Sequence, residues 1–110
     1  MPGRDKTPLS GSTTMLVLAL LKEREMYGYE IIEELEKRSN HVFKLKEGTL
    51  YPILHTLEKD RCLTARDAKT PGGRLRRYYR ITEKGLRALE EKKEEWKGFS
   101  DAVTAILAGA

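Results

Sequence analysis

Residues 46–61, KEGTLYPILHTLEKDR, followed almost at once by residues 63–81, LTARDAKTPGGRLRRYYRI, decide how this chain folds. In the first stretch Leu50, Ile53, Leu54 and Leu57 fall at i, i+3, i+4 and i+7, which predicts a helix over 47–61 with one apolar face. The opposite face carries Thr49, Tyr51, Pro52, His55, Thr56 and Lys59. Pro52 has no N–H, so the carbonyl of Gly48 loses its helical partner. Gly48 has no side chain, so another molecule can approach the backbone there closely. The second stretch predicts strands over 63–67 and 75–81 around the turn Pro71-Gly72-Gly73. Along the later strand Leu75, Arg77, Tyr79 and Ile81 share one face, and Arg76, Tyr78 and Arg80 the other. Tyr79 and Ile81 are expected to face the core.

Positive charge gathers in this hairpin. Arg66 to Arg80 hold six basic residues against the single acid Asp67, whereas residues 82–110 hold five basic and six acidic ones. A helix beside a cationic hairpin is the arrangement of a winged helix-turn-helix. The helix offers its N-terminal end and outer face to base edges in the major groove, and the hairpin holds phosphates. The groove-facing candidates are Lys46, Glu47, Gly48, Thr49, Tyr51, Pro52 and His55. The phosphate-contacting candidates are Lys69, Arg74, Arg76, Arg77 and Arg80. Taken singly, a wetted helix face and a solvated charge run explain either element; their adjacency favours nucleic acid.

The rest of the chain is consistent with one small domain. It has 110 residues, 35% of them charged, and a formal net charge of +4. A single cysteine, Cys62, excludes an internal disulfide and fits a reducing, cytoplasmic setting. The longest apolar run covers seven residues, 15–21, where a membrane span needs about 20. Residues 1–12 read as a polar, flexible arm. The first helix is expected to start near Thr13. Its MLVLALL segment is apolar on every side, which implies that a second chain covers part of it. The second helix is expected from Tyr27 or Gly28 to Arg38 with Ile31, Ile32 and Leu35 inward. In the connection 41–46, Val42, Phe43 and Leu45 are placed to pack beneath it. Thr82 is expected to cap a long last helix. Leu86, Leu89, Trp96, Val103 and Leu107 form a heptad-like seam there, with Lys93 and Ser100 in the same line and Phe99 and Ile106 beside it.

Three segments, YGYEI (27–31), EGTLYPILHTLEKD (47–60) and GGRLRRYYRITEKG (72–85), resemble the PadR family of bacterial transcription regulators in order and spacing. The resemblance spans about residues 14–108. It implies a winged helix-turn-helix, a homodimer and operator binding, with recognition positions on Gly48, Thr49, Tyr51 and Pro52 and a basic wing over 72–78 that includes Tyr78. Cys62 departs from the pattern, because the family mostly has glycine after the recognition helix, so that turn is expected to differ. The single C-terminal helix looks like the compact branch of the family. In that branch a tryptophan at the place of Trp96 lies near the two-fold axis, where flat aromatic effectors stack between subunits. The resemblance therefore implies a ligand-binding and dimer interface built from Met15, Leu89, Trp96, Phe99, Val103 and Leu107.

These readings give a mainly α fold with a small β-hairpin. A winged helix-turn-helix over 13–81 is followed by a C-terminal dimerisation helix over 82–110. The function expected is that of a homodimeric repressor on a pseudo-palindromic duplex operator, released by a small-molecule effector. The rival readings are a protein-interaction module and a small-molecule carrier, neither with operator binding. No cofactor, metal, membrane or catalytic role is expected. The P-loop, G-x-S-x-G and H-E-x-x-H motifs are absent, and Cys62, His41 and His55 are too sparse for zinc.

Overall fold

The computed structural model describes residues 8–109. Its elements run α1 (Pro8–Glu23), β1 (Met26–Tyr27), α2 (Gly28–Arg38), α3 (Glu47–Lys59), β2 (Leu63–Lys69), β3 (Leu75–Ile81) and α4 (Glu83–Ala108). The strands make one antiparallel sheet in the order β1-β3-β2. The hairpin is in full register from Leu63 opposite Ile81 to Lys69 opposite Leu75, two residues longer on β2 than its alternation predicts. At its tip the Gly73 amide donates to the Thr70 carbonyl at 2.8 Å, with Gly73 at φ +88°, a conformation that glycine adopts without strain. β1 has no counterpart in the sequence reading. Two residues, Met26 and Tyr27, pair with Tyr79 and Tyr78, and a two-residue strand is too short to show a period.

α1 begins at Pro8 instead of Thr13. Proline is well suited to a first helical position, where its missing N–H has no partner to lose. Residues 1–7 of the expected arm lie outside the described residues; residues 8–12 belong to α1. The apolar run of α1 is largely covered by the chain itself. Val17, Leu18, Leu20 and Leu21 are buried, because α4 packs on one side and β3 and α2 on others. Only Met15, Leu16 and Ala19 of that run stay partly exposed, so most of it needs no second chain.

Under α1 the core continues through Ile31 and Leu35 of α2, Leu50, Leu54 and Leu57 of α3, Leu63 of β2, Tyr79 of β3 and Leu89 of α4. The inner stripes of α2 and α3 and the inward Tyr79 are where periodicity puts them. Val42 and Phe43 are not: both are exposed, and Leu45 alone packs inward. The reason is local. α2 ends with two left-handed residues, Asn40 (φ 55°) and His41 (φ 69°), whose amides reach back to Lys37 and Glu36, and this turns the chain outward.

α3 ends in a similar way. The amides of Arg61 and Cys62 donate to the carbonyls of Glu58 (3.0 Å) and Leu57 (2.8 Å), with Arg61 left-handed at φ 66°. The strained position in this turn is thus Arg61, while Cys62 is buried beyond it. The end of α3 is also the start of α4. Thr82 Oγ1 accepts from the Gly85 amide (3.1 Å) and donates to the Arg61 carbonyl (2.7 Å), and the Thr82 amide donates to the Cys62 carbonyl (3.0 Å). From Trp96 onward α4 has no buried residue, and Ile106 and Leu107 are 73% and 70% exposed.

Candidate nucleic-acid interface

The core side of α3 fixes which of its residues face outward. With Leu50, Leu54 and Leu57 buried, Lys46, Glu47, Gly48, Thr49, Tyr51, Pro52 and His55 all lie exposed. Nothing stands within 4 Å of where a Cβ on Gly48 would be, so the first turn is open to close approach. Pro52 sits inside α3 without ending it. Tyr51 has a structural neighbour: its ring fills the space beside Gly28, the first residue of α2. Glu30 closes that end of α2 by accepting from the Tyr27 amide (3.2 Å).

The wing cations divide into two groups. Arg66 pairs through two nitrogens with the Glu25 carboxylate, a hydrogen-bonded pair that lowers the carboxyl below its ordinary value and raises the guanidinium. Arg77 Nη2 donates to Glu58 on α3 (2.7 Å), and Nη1 lies 3.7 Å from Asp67, its cross-strand neighbour. The Glu58 charge raises the Arg77 guanidinium. The phosphate role expected of Arg77 thus falls on a side chain already held by two carboxylates. Lys69, Arg74, Arg76 and Arg80, by contrast, make no ion pair among the described residues.

The outer face of the sheet carries an aromatic-cation stack. Tyr27 meets Tyr78 edge-on at 5.3 Å, Arg76 lies 5.4 Å over the Tyr27 ring, and Arg66 lies 5.6 Å over Tyr78. Arg76 Nε is buried without a hydrogen-bond partner, so its guanidinium is oriented by ring contact while the rest of the fork stays available. Tyr78, expected in the wing's binding set, is partly buried in this stack and not presented at the tip. The inward Tyr79 hydroxyl titrates above the ordinary tyrosine range because it is buried. Tyr27, Glu25 and Glu58 are the residues that sequence reasoning missed. Each acts across 19 or more positions, and no local spacing pairs them.

At the other end, Met15, Leu89 and Trp96 join Leu16 and Ala19 around an open groove of about 810 Å³ between α1 and α4. Phe99 rests on Trp96 with ring centroids 5.9 Å apart. Phe99, Val103 and Leu107 lie further along α4 and do not line the groove, so the six residues expected at one interface divide into three that do and three that do not. Among the described residues there is no cluster of three metal-ligating side chains, and no helix is long and apolar enough to cross a membrane.

Comparison with known proteins agrees with this geometry. A family model described as "Transcriptional regulator PadR-like family" matches residues 17–91. The chain is 39% identical over 87 residues to Transcriptional regulator Rv3488 of Mycobacterium tuberculosis, covering 79% of this chain and 75% of that protein. Its fold is similar to that of a PadR-like transcriptional regulator from Bacillus cereus, with a TM-score of 0.80 and 33% identity over 93% of this chain and 97% of that one. A transcriptional regulator from Clostridium thermocellum is equally similar in fold, with a TM-score of 0.80 and 30% identity over 88% and 94% of the two chains.

Proposed function

The chain belongs to the PadR-like transcriptional regulator family, and from that premise we propose that it is a homodimeric, cytoplasmic repressor that binds a pseudo-palindromic duplex operator. One observation carries this reading: an exposed helix face with an open first turn stands in the same unit as a wing whose Lys69, Arg74 and Arg76 make no ion pair among the described residues. In this reading residues 13–81 dock on DNA. Thr49, Tyr51, Pro52 and His55 meet base edges and adjoining phosphates, and Lys46 and the wing cations hold the backbone. The protruding apolar half of α4, within 82–110, joins two copies. Two-fold symmetry then sets half-site centres about 34–36 Å apart, or a multiple of that.

The groove bounded by Met15, Leu89 and Trp96 supports a regulatory ligand with a flat apolar body. A ligand there lies against α1 and α4 and changes affinity by favouring one wing separation over another.

Gel-shift titration tests the reading with a duplex selected from random-sequence DNA. Thr49→Ala should weaken the selected complex alone, whereas Arg74→Gln with Arg76→Gln should weaken every duplex and reduce the slope of log affinity against log salt by about 0.9 per lost phosphate contact. Binding that is indifferent to salt and to both changes would favour the protein-interaction reading.

A further inference from the structure

We propose that Glu58 and Arg77 form an ionic latch that sets the angle of the wing against the recognition helix, so that Arg77 is a positioning residue for specificity and not a phosphate contact. The inference rests on the DNA-binding reading above. It starts from strand alternation: Arg77 lies on the same face of β3 as the buried Tyr79, the face turned toward the helices, while Arg76 and Arg80 lie on the other. From there its guanidinium reaches Glu58 at 2.7 Å. Glu58 belongs to the second half of α3, one turn beyond the buried Leu54 and beside the buried Leu57. Asp67, directly across the hairpin, stands 3.7 Å from the other terminal nitrogen. One cation thus ties α3, β2 and β3 together.

Among the described residues no other ion pair joins α3 to the hairpin, and the Thr82 bonds to the turn after α3 lie at the hairpin's base. The Cys62 carbonyl and the Leu63–Ile81 pair join at the end away from the tip. Above that base the latch restrains how far the hairpin can lean from α3. That lean decides whether Lys69 and Arg74 meet phosphates while Thr49 and Tyr51 meet bases. Such a pair is half-exposed, so its contribution to fold stability is small. Its effect is geometric and falls on discrimination between DNA sequences.

A phosphate contact and a latch differ in sign at Glu58. A carboxylate beside a DNA-binding surface repels the backbone, so its removal ordinarily strengthens binding to any duplex. The latch makes the opposite prediction for the selected site. The test measures affinity for a duplex selected from random-sequence DNA and for an unselected duplex of equal length, each over a series of salt concentrations.

For Glu58→Gln and for Arg77→Gln, the ratio of selected to unselected affinity should fall about two- to fivefold, with the salt slope unchanged. The swapped variant Glu58→Arg with Arg77→Glu, made together with Asp67→Asn so that no second carboxylate faces position 77, should restore the ratio. The latch is overturned if Arg77→Gln lowers the slope by about 0.9 while Glu58→Gln tightens both duplexes, the behaviour of a phosphate contact that Glu58 competes for. A Glu58→Gln protein indistinguishable from wild type also overturns it. Failure of the wild type to enrich any sequence is a separate outcome, and removes the operator reading on which the latch rests.

Discussion

The Tyr51 ring occupies the place that a side chain on Gly28 would take. A Cβ built there would overlap the Tyr51 hydroxyl and stand 2.7 Å from the ring carbon that bears it. A candidate base-contacting residue on α3 is therefore steadied by the first residue of α2. Gly28 has ordinary negative φ, so the demand for glycine here comes from space and not from backbone conformation.

Gly28→Ala should accordingly cost up to about 1 kcal/mol of stability, since the exposed ring can swing aside, and weaken duplex binding, since the methyl group pushes the ring from its seat. Adding Tyr51→Ala should recover the stability but not the binding. Urea denaturation of both single variants and the double variant measures the coupling. Additive losses would show that the two residues do not meet in this way.

Arg61 bears the left-handed conformation that ends α3, and its side chain makes no ion pair among the described residues. Arg61→Gly should stabilise the protein by about 0.5–1 kcal/mol, the relief of left-handed strain less the added freedom of the unfolded chain. The shift in urea midpoint at constant slope reads it directly. A loss of stability would mean that the arginine stem packs on the surface more than the strain costs.

The apolar end of α4 should be covered in solution. Ile106→Asp with Leu107→Ser should raise the dimer dissociation constant at least tenfold without unfolding the monomer, because neither residue touches the core. Sedimentation equilibrium, with circular dichroism as the fold control, checks both parts. An unchanged association constant would place the interface elsewhere.

Acid should act through Glu25. Its pair with Arg66 lowers the folded-state carboxyl below the ordinary value of 4.5. The stability from the pair is then complete above about pH 4.5 and is lost as pH falls through the lowered value, where the folded state must take up the proton. Glu25→Gln should flatten this acid limb of the stability curve and lower neutral-pH stability by the same small amount, so that the two proteins converge in acid. Identical acid limbs in the two proteins would dismiss the pair as a contributor.

What could be read from the sequence follows from how far apart the interacting residues lie. The α3 stripe, the hairpin turn and the Thr82 cap each depend on neighbours within eight positions, and each is present in the structure. β1, the Arg66–Glu25 pair and the Glu58–Arg77 pair join residues 19 to 53 positions apart, and no local period marks them. The site was legible as a list of outward residues on α3. It was not legible on the wing, where counting positive charges cannot tell Arg74, which makes no ion pair among the described residues, from Arg77, which is held. The all-round apolar pattern of α1 could not tell which of its sides the chain covers itself: α4, β3 and α2 surround most of it, and Met15, Leu16 and Ala19 are the part left open to a second chain.

Thr82 has a mechanical consequence. One hydroxyl is fastened to the Arg61 carbonyl in the turn just after α3 and to the Gly85 amide in the first turn of α4, so the two helices share a pivot. Beyond it α4 continues for 26 residues, a rod about 39 Å long. A sideways pull on its far tip becomes torque at Thr82, delivered to the C-terminal end of α3; in the proposed dimer on DNA, small displacements between paired rods would be geared into changes in the angle of α3.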